Sequence, residues 1–163
     1  MKIRPRRLRC NELMREMVRE TRVSSASLIY PVFVEAGENK KTEITSMPGQ
    51  YRYTLDRLNE GIEEAISFGV FRFMLFGIPA EKDERGSGAY EENGIIQRAV
   101  GQLKKTFGDR IQVITDVCLC EYTSHGHCGL LGTDQTTIDN DRTLPELAAA
   151  ALSCAAAGAD GVA

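Results

Sequence analysis

Between Asp116 and Gly129 the sequence reads Asp-Val-Cys-Leu-Cys-Glu-Tyr-Thr-Ser-His-Gly-His-Cys-Gly, which gathers Cys118, Cys120, Cys128 and both histidines of the chain, His125 and His127. Three thiolates and a water make an open zinc site, because thiolate sulfur suits zinc and catalytic zinc keeps one position for water or substrate. The Cys-x-Cys pair is spaced too tightly for a zinc finger, which disfavours a structural knuckle. Zinc is therefore preferred over a redox thiol cluster or inert cysteines. His125 and His127 also permit a His-x-His hydrolase centre. Against it, the adjacent sulfurs compete for the metal, and the imidazoles serve equally well as donors that support the ligands. Asp116 stands where a strand opens into the loop, either as a catalytic carboxylate or as a cap on the loop backbone.

The elements that must position this loop follow from hydrophobic patterning. Residues 1–27 read as an N-terminal arm, with Asn11 capping a short helix whose apolar stripe is Leu13, Met14, Met17 and Val18. Leu28–Val34 reads as a first buried strand, although Pro31 argues for an edge or a bulge. A polar loop with Met47-Pro48-Gly49 follows, then a helix over Leu55–Phe68 capped by Thr54 and ended by Gly69. Val70–Ile78 reads as a second strand, and Glu81–Gly94 as a charged, Gly-rich loop. A helix over Gly94–Phe107 comes next, closed by Gly108, and then a third strand over Ile111–Val117. A last helix is expected to start at Thr143, in a capping box with Glu146, and to run to Gly158; Ala159–Ala163 opens a fourth strand.

Alternating strands and helices with continuous apolar strands imply a parallel sheet. A doubly wound sheet and a (β/α)8 barrel both satisfy this, and no Gly-rich phosphate loop follows the first strand to favour the nucleotide-binding type. A barrel needs about 250 residues, so under that reading residues 28–163 supply the first three and a half β/α units, a truncated N-terminal half. The chain has 163 residues and a net charge of −3, which gives no overall basic character for nucleic acid. It lacks an apolar run long enough for a membrane span and an N-terminal signal peptide, and it therefore reads as cytoplasmic. Five cysteines, three of them clustered, fit a metal or thiol site in a reducing compartment. Cys154 reads as a small core residue, and Cys10 has no visible role.

The run from Asp116 to Gly129 closely resembles the zinc-site signature of the porphobilinogen synthase (5-aminolevulinate dehydratase) family. Colinear segments extend the resemblance over the chain: Arg4-Pro-Arg-Arg-Leu-Arg9, Leu28-Ile-Tyr-Pro-Val-Phe-Val34, Met47-Pro-Gly-Gln-Tyr-Arg52, Lys82–Tyr90, Asn93–Arg98 and Ala157–Ala163. It implies a (β/α)8 barrel whose arm embraces a neighbouring subunit in a homo-oligomer, commonly an octamer. The implied reaction condenses two 5-aminolevulinates, with loss of two waters, to porphobilinogen in tetrapyrrole synthesis. By position, Cys118, Cys120 and Cys128 match the zinc ligands, Asp116 an acidic residue near the metal and His127 a nearby polar residue. Zn2+ is the implied cofactor, with Mg2+ a further ion of the full-length protein that no residue here locates. The family's two Schiff-base lysines have no counterpart: Lys2, Lys40, Lys41, Lys82, Lys104 and Lys105 fall in the arm, loops or a helix end. The expectation is a chain inactive by itself. Its rivals are a non-catalytic zinc-binding half-barrel completed by a separate C-terminal partner, and a hydrolase built on the histidines.

Overall fold

The computed structural model describes residues 6–163; Lys2, Arg4 and Pro5 of the expected arm lie outside the described residues. In chain order the elements are α1 (Glu12–Met17), β1 (Tyr30–Glu35), β2 (Lys41–Glu43), β3 (Tyr51–Tyr53), α2 (Leu58–Ser67), β4 (Arg72–Ile78), α3 (Ile95–Phe107), β5 (Gln112–Thr115), α4 (Asn140–Ala156) and β6 (Gly161–Val162). They form one six-stranded sheet of order β2-β3-β1-β4-β5-β6. β1, β4, β5 and β6 run parallel, each beside the one before it, and β2 alone is antiparallel to its neighbour. A doubly wound sheet reverses its strand order at a switch point. The helix-connected strands here do not reverse, as in a barrel wall.

Burial is one-sided, as a barrel wall also requires. Val32, Val34, Phe73, Leu75 and Val113 point to the helices and join Leu58, Ile62, Ala99, Val100 and Leu103 in one core. The alternate residues face the other way, and there Phe33 and Phe76 stack with ring centroids 5.3 Å apart on a half-buried surface. Strand period two assigns Gln112, Ile114 and then Asp116 to this inner face.

Several local expectations need correction. Pro31 lies on a central strand. The Ala36 N–H donates to Ile78 O at 3.0 Å, so by alternation the Pro31 nitrogen faces β3, whose pairing with β1 begins only at Phe33. The missing N–H therefore costs no ladder bond. The polar loop after β1 contains the β2–β3 hairpin, whose three-residue strands show too little alternation to be read from sequence. Thr54 does not cap α2; its buried hydroxyl ties to the Lys40 backbone, accepting from N at 3.0 Å and donating to O at 3.2 Å. α4 starts three residues before Thr143, because Asp139 is the true cap, its Oδ1 accepting from the Arg142 N–H at 3.1 Å. Glu146 makes no capping box and turns to Arg85 instead. Asn11 does cap α1, accepting from the Met14 N–H at 2.8 Å. Its apolar stripe is largely exposed, with Leu13 at 77% and Met17 at 66%, and only Met14 partly covered. Gly69 ends α2 at φ 80°, a conformation that favours glycine.

At the approach to β6, the Asp160 carboxylate accepts from the Val113 N–H at 2.8 Å and from Lys104 Nζ at 2.9 Å. Burial alone would raise its pKa; the Val113 N–H and then Lys104 outweigh that and hold it below the ordinary value. With the folded pKa depressed, its contribution to stability is present above the unfolded value, about 3.9. It is lost as pH falls through the folded value. Asp160→Asn is expected to lower the thermal midpoint by roughly a few degrees at neutral pH, and by much less in acid. Equal drops at both pH values would refute this account.

Candidate metal centre

Cys118, Cys120 and Cys128 lie in the loop that leaves the C-terminal end of β5, the end of the sheet where barrel active sites are built. All five cysteines of the chain are free. Leu119 is fully buried against Ala89, Tyr122 and Ala150, and it pins the Cys-x-Cys pair between a half-buried Cys118 and a half-buried Cys120. Thr123 Oγ1 donates to His127 O at 2.8 Å, which draws the far arm of the loop back toward the first. Gly129 then passes so close to α4 that a Cβ there would sit 2.7 Å from both Thr143 Oγ1 and Ile138 Cγ2. The Leu130 N–H donates to Thr143 Oγ1 at 2.9 Å. Cys128 is thus exposed yet fixed on both sides.

The three sulfurs lie within 4.8 Å of one another, and Cys118 Sγ donates to Cys120 Sγ at 3.4 Å. Sulfurs around a tetrahedral zinc, at 2.3 Å from the ion, would stand about 3.8 Å apart, so the donors fit that ion in type and spacing. A second grouping, Asp116, Cys118 and Glu121, overlaps the first. Cys120 Sγ donates to Glu121 Oε2 at 3.1 Å. Burial, then the Glu121 carboxylate and Cys118, push the Cys120 thiol far up. Cys118, followed by burial, raises Cys128, and burial followed by Glu121 raises Asp116. Crowding of groups that each disfavour the other's charged form is what a divalent cation relieves.

The histidines are placed differently. The backbone N–H of His127 donates to His125 Nδ1 at 3.2 Å, and His125 Nε2 lies 3.2 Å from Glu84 O. Both ring nitrogens of His125 are therefore engaged by backbone, with the proton on Nε2, and the ring is a poor ligand. His127 stacks near it, centroids 5.4 Å apart, and neither ring joins a metal-ligand grouping among the described residues. Of the expected residues, the structure brings together Asp116 and the three cysteines. Glu121 is the partner the sequence reading missed; its carboxylate directly after Cys120 was the available signal.

The parallel run β1-β4-β5-β6, with three thiols gathered at its C-terminal strand ends, defines the N-terminal half of a (β/α)8 barrel. The family described as delta-aminolevulinic acid dehydratase matches residues 2–163, and the chain belongs to that family. A relative of that name from Ruminiclostridium josui is 52% identical over 160 residues, covering 98% of this chain and 77% of the relative. One from Staphylococcus epidermidis is 46% identical over 96% of this chain and 48% of its own length. The crystal structure of the Toxoplasma gondii enzyme, delta-aminolevulinic acid dehydratase (porphobilinogen synthase) in complex with the reaction product porphobilinogen, superposes with a TM-score of 0.91 at 38% identity. It spans 99% of this chain and 46% of that one. The chain therefore spans about half the length of the S. epidermidis and T. gondii proteins.

Proposed function

We propose that this chain supplies the zinc half of a porphobilinogen synthase, which condenses two 5-aminolevulinates to porphobilinogen with loss of two waters in tetrapyrrole synthesis. The observation that carries the proposal is the convergence of the Cys118, Cys120 and Cys128 sulfurs within 4.8 Å at the C-terminal strand ends, in a member of this family. These three residues would hold Zn2+. When bound, zinc supplies Lewis acidity that polarises a carbonyl or activates a water. Asp116, half-buried on the inner face with its pKa raised by burial and Glu121, is suited to hold a proton at its carboxyl and pass it on. His125 orders the loop backbone before Cys128 and leaves the metal to sulfur.

The described lysines are not placed to supply the family's Schiff-base nucleophile. Lys41 lies on β2 over the Tyr51 ring, Lys104 pairs with Asp160, and Lys40, Lys82 and Lys105 are exposed. Further β/α units would bring the lysines and cover the half-buried inner face around Phe33 and Phe76. Residues 1–27 fit an arm that reaches a neighbouring subunit of a cytoplasmic homo-oligomer: among the described residues up to Ser27, none is buried. No helix among the described residues is long and apolar enough to cross a membrane.

The 163-residue chain, loaded with Zn2+ and given 5-aminolevulinate, is expected to form no porphobilinogen. The same chain extended through the missing β/α units is expected to form it and to lose the activity to a chelator. Turnover by the unextended chain would sink the division into a metal half and a lysine half.

A further inference from the structure

Two segments remote from the cysteines in sequence meet at their loop. Asp83 forms an isolated parallel bridge to Thr123: its N–H donates to Tyr122 O at 3.2 Å, and its carbonyl accepts from the Ser124 N–H at 2.8 Å. The Asp83 carboxylate also shapes its own turn, with Oδ1 accepting from the Arg85 N–H at 2.8 Å and from the Ser87 N–H at 3.1 Å, and Oδ2 from the Ser87 hydroxyl. Arg85, two residues on in that turn, crosses to Glu146 on α4 and pairs with it. Glu146 is one helical turn beyond Thr143, whose hydroxyl holds Leu130, two residues past Cys128. The contacts close a ring that runs from Cys120 through Thr123, Asp83, Arg85, Glu146, Thr143 and Leu130 to Cys128.

We infer that the Arg85–Glu146 pair is a positioning strut that sets the distance of Cys128 from Cys118 and Cys120. The inference rests on the proposed metal reading and adds to it a determinant outside the ligand set. Neither residue offers an atom to the sulfur cluster. The strut is the charged contact that joins the Asp83 turn to α4, beside the apolar packing of Leu119 and Tyr122 with Ala150. Without it, Cys128 is tied to the first arm by the Thr123–His127 bond and, through α4, by apolar packing that carries no directional hydrogen bond. The Arg85 side chain is 68% exposed and that of Glu146 only 11%. Arg85 holds the Glu146 carboxyl below its ordinary range despite partial burial, so the pair remains charged at neutral pH.

The test is Co2+ titration of the 163-residue chain and its variants, reading affinity and the sulfur-to-cobalt charge-transfer band, with circular dichroism on each. Arg85→Ala and Glu146→Gln are expected to weaken binding roughly 10-fold or more, as removal of an outer partner of a metal site does. The band per bound cobalt should fall by about a third as Cys128 drops out of a three-sulfur set. Arg85→Lys should recover part of the affinity, and the exchanged double variant, Arg85→Glu with Glu146→Arg, most of it. Wild-type affinity and spectrum in Arg85→Ala overturn the strut while leaving the metal reading intact. Loss of helical signal in the single variants with no rescue by Lys or by the exchange also overturns it, as a merely structural role. Absence of the band in the wild-type chain overturns the metal reading, and the strut falls with it.

Discussion

Under the proposed zinc reading, Cys120→Ser is expected to abolish tight zinc binding by the chain. The cysteine is half-buried, its sulfur lies 3.4 Å from that of Cys118, and the serine hydroxyl that replaces it does not ionise near neutral pH. If each ligand carries roughly a quarter of the 10–16 kcal/mol that holds a structural zinc, its loss costs about 3–4 kcal/mol, roughly 10²–10³-fold in affinity. Competition with a chromophoric chelator measures this directly. Cys118→Ser and Cys128→Ser should behave alike, whereas Cys10→Ser, on an exposed residue with no role in the cluster, should bind as the wild type does. His125→Ala separates the two metal chemistries that the loop allows. Retained zinc supports the sulfur set, and zinc lost as completely as in Cys120→Ser would move the centre to the imidazoles.

Leu119→Ala carries the largest expected effect on stability. Its side chain is fully buried between two half-exposed cysteines, in a small cluster with Ala89, Tyr122 and Ala150 that lies apart from the main core. Truncating a buried leucine costs about 2–5 kcal/mol, depending on how far the site collapses. Denaturant unfolding of the metal-free chain should show that loss without help from the zinc. Zinc affinity should fall as well, because the anchor of the Cys-x-Cys pair is gone. A loss below about 1 kcal/mol, the usual range for a surface change, would mean that the loop is held by its hydrogen bonds alone.

The parts of this fold legible in the sequence are those with long periods. α3 shows its buried face, Ile96, Ala99, Val100, Leu103 and Phe107, at helical spacing, and β4 shows a nearly unbroken apolar run. The β2–β3 hairpin does not, because three residues span too little to display alternation. The errors at Thr54 and Thr143 share one cause. A hydroxyl can cap its own helix or bond to a distant backbone, and tertiary contacts with Lys40 in one case and Leu130 in the other decided the matter. At the site, the cysteines declare themselves by type and spacing. The strut does not, since Arg85 and Glu146 are 61 residues apart and Glu146 reads in sequence as a helix-capping partner of Thr143.

The loop between Cys128 and α4 is closed off before it reaches its tip. The Asp139 N–H donates to Leu130 O at 2.9 Å and the Gly132 N–H to Thr137 O at 2.8 Å. Inside them Asp134 organises its own turn through the Thr136 and Thr137 N–H groups. Residues 133–136 are therefore a side branch that the two backbone bonds close off from the segment leading to Cys128, although Thr133 and Gln135 line a cavity with Arg85 and His125. An insertion between Asp134 and Thr137 lengthens the branch beyond its closing bonds, so it is expected to leave the spacing of the three sulfurs unchanged.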